Sequence, residues 1–280
     1  MTRRMLVALV PLALFAAGCG DEALVCYCGG TMRPAIEELA RMYEAKTGQR
    51  VNTDVNDSGA LLARIELVRQ GDLYVAHDPF LSATFIKGHA VKGWVVASIT
   101  PVIVVAKGNP KNVRGFRDLA RPGMRLALPD ETRSTTGWVV PVIAKRAGIE
   151  AAIRHRDDGG NVVTRTRAGN GAADQVALGT ADAAVVWNAI AKLRARDLDV
   201  VAIEPEFMPK RDVDVITTAS LGRTDLDYIR VTICTLKYSK KLEQATAFAE
   251  FCASPEAAEV WKRLGFSPVD PARDAIPLNP

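Results

Sequence analysis

Histidine is almost missing from this chain: His77, His89 and His155 are the three in 280 residues. None stands with a Ser or Cys in a nucleophile context, and no glycine-rich loop of the Walker or dinucleotide type occurs. The sequence therefore carries no signature of an acyl-transfer or nucleotide-using enzyme. Aromatic residues make up 6% of the chain, and its 36 Lys and Arg are spread along it rather than clustered, which argues against a nucleic-acid partner. Beyond Ala17 no apolar run is long enough to cross a bilayer. Cysteine is sparse too. Cys26 and Cys28 alternate on a predicted strand and face the same side, but no second Cys/His pair at metal-ligand spacing completes a site.

The one apolar run that is present, Met5 to Ala17, follows Arg3 and Arg4 and ends in Ala16-Ala17-Gly18-Cys19. A charged start, a core too short to span and a small-residue exit read as a signal peptide over residues 1–18. Cys19 directly after Ala-Gly, followed by a polar stretch, resembles a bacterial lipoprotein box. The expected product begins at a lipidated Cys19, is tethered to the membrane and folds outside the cytoplasm. Plain signal cleavage is the other reading, because Ala16 stands where Leu is more usual. Export would permit a disulfide among Cys26, Cys28, Cys234 and Cys252. The favoured reading is that all four are small core residues, with a soft-metal site at Cys26 and Cys28 as the alternative.

Between Val25 and Asp78 the same unit occurs twice: a short apolar stretch, a turn carrying a hydroxyl, and an amphipathic helix. The first is Val25–Cys28, Gly29-Gly30-Thr31, and a helix through about Lys46; the second is Val51–Val55, Asn56-Asp57-Ser58-Gly59, and a helix through about Arg69. Each places a hydroxyl and unpaired N–H groups at the positive end of a helix, which suits an anion. A single Ser or Thr there is an ordinary cap, but two in succession, with two further glycine-marked turns, point to an oxyanion grip.

Strand and helix continue to alternate. Val96–Ala106 predicts the strongest strand, Val113–Leu119 a short helix, and Arg125–Leu128 a strand. Ser134-Thr135-Thr136-Gly137 opens a helix to about Arg146, with Pro141 near its first turn. Val162–Thr166 predicts a strand, Gly169-Asn170-Gly171 a turn, Ala172–Leu178 a helix, and Ala183–Trp187 a buried strand. Strands over 212–220 and 229–235 and helices over 239–252 and 254–264 complete the chain. Such alternation predicts parallel sheets flanked by helices.

Several segments together resemble the extracytoplasmic solute-binding proteins of ABC importers, most closely the molybdate/tungstate-binding family. They are Thr31-Met32-Arg33-Pro34, Asp57-Ser58-Gly59-Ala60-Leu61, Gly71–Asp78, Val104–Pro110, Asp118–Gly123 and Ser254-Pro255-Glu256-Ala257-Ala258. The resemblance implies an α/β, two-lobe periplasmic-binding-protein-like fold (type II) with the ligand in the interlobe cleft. Lobe one would comprise residues 24–98 plus 213–280 and lobe two residues 99–212, with hinges near Ser98 and Val213. It implies no enzyme activity, no cofactor, a monomer, an ABC permease as partner, and molybdate or tungstate as ligand. Other ions within the class are sulfate, phosphate or a ferric complex.

The family's ligand positions fall here on Thr31 and Ser58 from lobe one, and on Thr136, Gly137, Asn170, Gly171 and Trp187 from lobe two. Three features depart from the family pattern. Trp187 stands where Tyr is usual, the Asn170-Gly171 turn is about two residues short, and Asp57 would repel a dianion if it faced the cleft. Asp57 is expected to cap its turn or point to solvent. Arg33 and Arg133 lie near these turns and read as solvated surface residues.

Overall fold

The computed structural model describes residues 22–131, 134–218, 221–227 and 229–270. The expected signal peptide, Cys19 and Arg133 lie outside them. In chain order the elements are β1 (Leu24–Gly29), α1 (Arg33–Thr47), β2 (Val51–Asn56), α2 (Ser58–Val68), β3 (Leu73–His77) and α3 (Asp78–Ile86). Next come β4 (Ala90–Ile99), β5 (Pro101–Ala106), β6 (Leu126–Pro129), α4 (Thr135–Ala147), β7 (Val162–Thr166), α5 (Gly169–Ala177), β8 (Ala183–Trp187) and α6 (Asn188–Leu193). The last are β9 (Leu198–Val201), β10 (Val215–Thr218), β11 (Gly222–Asp225), β12 (Ile229–Leu236), α7 (Leu242–Cys252) and α8 (Pro255–Arg263).

Two five-stranded sheets organise the chain, ordered β2-β1-β3-β12-β4 and β7-β6-β8-β5-β9, beside a β10–β11 hairpin. Both follow one plan. In the first, β1 runs parallel to β2 and β3, and β12 runs antiparallel to β3 and β4. In the second, β6 runs parallel to β7 and β8, and β5 runs antiparallel to β8 and β9. The duplication extends to side chains. Asp72, ahead of β3, accepts from the Val25 amide of β1 at 2.8 Å. Asp182, ahead of β8, accepts from the Arg125 amide next to β6 at 2.9 Å. β3 and β8 are therefore equivalent strands, and their last residues, His77 and Trp187, are equivalent positions.

The central strands are apolar because helices cover both of their faces. Leu73–His77, Ala183–Trp187 and Ile229–Leu236 are buried at every residue. Alternation along β1 sends Cys26 and Cys28 into the main core and Tyr27 into a second cluster with Tyr74 and Cys234. Cys26, Cys28, Cys234 and Cys252 are free thiols with no exposed surface, and burial pushes the Cys26 thiol up to about 12. Among the described residues no group of three or more His, Cys, Asp or Glu is placed to hold a metal. Cys26 and Cys28, the positions of the soft-metal alternative, have no exposed surface.

Some expectations are corrected. Val96–Ala106 is not one strand: the chain breaks at Thr100, and β4 and β5 belong to different sheets. Continuous Val/Ile pattern hides this, since both halves are core strands. Gly169-Asn170-Gly171 is not a turn before a helix but the first turn of α5. Pro141 lies inside α4, and of the strand expected over 212–220, residues 212–214 precede β10 while 219 and 220 lie outside the described residues. The short helix near Leu119 is a 3-10 turn over Phe116–Ala120.

Candidate functional site

In a parallel βαβ unit the strand's carboxyl end feeds the next helix's amino end, so ligands collect at that edge of the sheet. Here the corresponding edges of the two sheets face each other. Between them lies a cavity of about 380 Å³, bounded on one side by Gly29–Met32, Val55–Ser58, His77 and Phe80. The other side is Ser134–Thr136, Arg167–Gly171 and Trp187. Each group follows a strand of the parallel half of its sheet.

Thr31, Ser58, Thr136, Asn170, Gly171 and Trp187 are all brought to this cavity. Gly137 is not among its lining residues. It sits in the first turn of α4, where a Cβ would fall 2.2 Å from the Asp130 carbonyl oxygen, so its lack of a side chain serves packing. Gly29 shows why the two repeated units converge: a Cβ there would lie 2.7 Å from Ser58 Oγ and 2.6 Å from Met32 Cε. The Ser58 hydroxyl is thus pressed against the first turn, and its carbonyl accepts from Tyr74 Oη at 2.7 Å, which fixes the start of α2.

Asp57 does not present a free carboxylate to the cleft. One oxygen caps α2 by accepting from the Ala60 amide at 2.8 Å, and the other is ion-paired with Arg167 from the opposite wall. These are the two charged residues lining the cavity, and each neutralises the other. Arg33, by contrast, is exposed and paired with Glu37. The remaining lining is neutral: hydroxyls, amides at the amino ends of α2, α4 and α5, and apolar Met32, Val55, Phe80 and Trp187.

The walls also touch through neutral groups. His77 Nδ1 lies 3.4 Å from Thr135 Oγ1, its ring meets Trp187 edge-on at 5.8 Å, and Phe80 stacks on Trp138 at 6.0 Å. Three buried side-chain polar atoms among the described residues have no hydrogen-bond partner, and two of them, His77 Nε2 and Thr136 Oγ1, belong to residues that line this cavity. Unpaired buried polar atoms are costly. Burial lowers the His77 pKa to about 4, so the ring is neutral near pH 7. The sequence reading missed His77 and Arg167. Sequence shows His77 only as the end of an apolar strand, and Arg167 only as one cation among many.

Two sheets of one plan, joined at Thr100 and enclosing a donor-lined cleft at their facing carboxyl edges, define a two-lobe binding protein of the periplasmic type. The chain belongs to the bacterial extracellular solute-binding protein family, whose profile matches residues 24–267. This is a family of binding proteins, not of enzymes. A curated binding protein of Haemophilus influenzae is 24% identical over 95% of this chain and 99% of its own length. The molybdate-binding protein ModA of Mycobacterium bovis is 27% identical over 39% of this chain and 43% of its own. Among solved structures, the periplasmic molybdate-binding protein of Azotobacter vinelandii superposes with a TM-score of 0.72 at 15% identity, covering 88% of this chain and all of that one. The sulfate-binding protein SubI of Mycobacterium tuberculosis gives 0.69 at 21% identity, covering 90% and 89%.

Proposed function

We propose that this chain captures a tetrahedral oxyanion, molybdate or tungstate first, and delivers it to the permease of an ABC importer. The observation that carries the reading is a cleft where the amino ends of α2, α4 and α5 meet from both sheets, with the buried Thr136 Oγ1 left without a partner. A dianion supplies an acceptor to this hydroxyl, and the positive helix ends stabilise it without a matched cation. The similarity in part of the chain to a molybdate-binding relative supports the choice of ion.

In this reading Thr31 and Ser58 act from lobe one, and Thr136, Asn170, Gly171 and Trp187 from lobe two. The lobes are residues 24–98 plus 213–280 and residues 99–212. Closure rotates them about the segments near Ser98 and Val213, because only the closed form offers donors from both sides. Arg167 and Asp57 meet at the cleft as a closing contact. The protein works outside the cytoplasm, held to the membrane through Cys19.

A second reading is favoured by the cavity itself. Its volume, about 380 Å³, falls within the roughly 300–1,000 Å³ usual for small organic ligands, and Met32, Val55 and Phe80 give it an apolar side. An oxyanion bearing a small organic group would use both halves of that lining. Thermal-shift titration against molybdate, tungstate, sulfate, phosphate and a phosphorylated hydroxy acid separates the two. A native-state ligand raises the melting temperature with the logarithm of its concentration over Kd. Response to molybdate or tungstate supports the first reading, response to the ester alone supports the second, and no response to any removes both.

A further inference from the structure

We propose that His77 is itself a ligand contact, donating Nε2–H to the bound anion from the lobe-one wall and making affinity depend on pH. The inference rests on the oxyanion reading above and adds a residue to it that the sequence reading left out.

Three independent observations converge on this side chain. His77 ends β3 as Trp187 ends β8, so the internal duplication of the fold sets it opposite a position already assigned to the ligand. The ring lines the cavity and is 8% exposed. Its Nε2 is buried without a partner. The other nitrogen has a hydroxyl neighbour. Nδ1 lies 3.4 Å from Thr135 Oγ1; when that hydroxyl donates to it, the ring proton resides on Nε2. Edge-on packing against Trp187 at 72° fixes the plane.

The pH dependence follows from the surroundings. Next to His77 on α3, Asp78 is held by Arg230 of β12 at 2.6 Å. Asp57 at the start of α2 and Arg167 ahead of α5 are paired with each other. From α4 and β8 the groups facing the ring are Thr135 and Trp187, both uncharged. Burial lowers the pKa of the empty protein's ring to about 4. A dianion becomes the dominant charge beside the ring and favours imidazolium, so the pKa is higher in the complex than in the empty cleft. Binding then takes up a proton: affinity rises as pH falls from the complex's pKa towards that of the empty protein, and is flat above the former.

Calorimetric titration of tungstate into wild type, His77→Phe and His77→Gln, at about pH 8 and about pH 6, tests this; the ion remains a dianion at both. Phe keeps the aromatic packing and removes the donor; Gln reaches the Nε2 position with an amide N–H that does not titrate. The expected result is that His77→Phe binds ten- to hundredfold more weakly, the loss of one hydrogen bond to a charged group. His77→Gln stays within a few-fold of wild type at pH 8, and wild type alone gains affinity at pH 6. Wild-type-like binding by His77→Phe overturns the proposal, as does a pH gain that persists in His77→Gln or is absent from wild type. If wild type binds none of molybdate, tungstate, sulfate and phosphate, the oxyanion reading falls and takes this inference with it. Wild-type binding with an unaffected His77→Phe strikes His77 alone.

Discussion

Replacing Thr136 with Val is expected to stabilise the empty protein and weaken the complex, two effects of opposite sign from one atom. Thr136 is 1% exposed, and its Oγ1 has no hydrogen-bond partner. Val has the same shape with a methyl in place of the hydroxyl. Leaving a buried hydroxyl unsatisfied costs about 1–3 kcal/mol, so removing it recovers part of that sum. At roughly 2–4 °C per kcal/mol for chains of 150–250 residues, the ligand-free melting temperature rises by a few degrees. The complex loses a donor to a charged acceptor, about 1.5–3 kcal/mol, which weakens Kd by one to two orders of magnitude. Differential scanning calorimetry of the empty protein and calorimetric titration with molybdate measure the two terms separately. A lower melting temperature together with unchanged affinity would refute the reasoning, because it would mean that the hydroxyl serves packing and never meets a ligand.

Ser58→Ala and Thr31→Ala each weaken oxyanion binding about tenfold or more, read by the same titration, since each removes a donor from the lobe-one wall. Cys26→Ser with Cys28→Ser lowers the melting temperature by placing hydroxyls in the core, yet leaves oxyanion affinity unchanged. Arg167→Ala changes stability little, because its pair with Asp57 is largely exposed; small-angle scattering of the empty protein should report a larger radius of gyration as the closing contact is lost. The empty wild type loses stability on acidification. The buried neutral ring of His77 titrates near 4 when folded and near 6.5 when unfolded. Little stability is lost to it above pH 6.5; the loss accrues as pH falls between those values and approaches about 3–4 kcal/mol. Thermal melts at pH 7 and about pH 5 check this, and His77→Gln should show the smaller drop.

Period and turn chemistry carried most of the architecture. Alternating apolar stretches and helices bounded by glycine gave the α/β layering and the parallel half of each sheet, but not the antiparallel β12 and β5 that make both sheets mixed; the repeat over residues 25–78 corresponds to β1 through β3. What escaped was information that only three dimensions hold. Nothing in the Val/Ile run marks Thr100 as the point where the chain leaves one sheet for the other, because both strands are core strands with the same pattern. Gly169-Asn170-Gly171 has poor helix propensity and reads as a turn, but the helix amino end must start there to face the cleft. Gly137 and Gly29 look alike on paper; the first makes room for the Asp130 backbone and the second for the Ser58 hydroxyl. His77 was hidden by its position in an apolar strand, and its importance comes from the matched place of Trp187 in the other sheet.

The central claim, an oxyanion held between the two sheets by neutral donors, is tested most directly by a crystal structure of the protein grown with tungstate, using the metal's anomalous scattering to locate it. The account predicts one strong peak between the lobes, with oxygens in hydrogen-bonding range of Ser58, Thr136 and His77 Nε2. A peak outside the cleft, or a cleft without one at saturating tungstate, would contradict it.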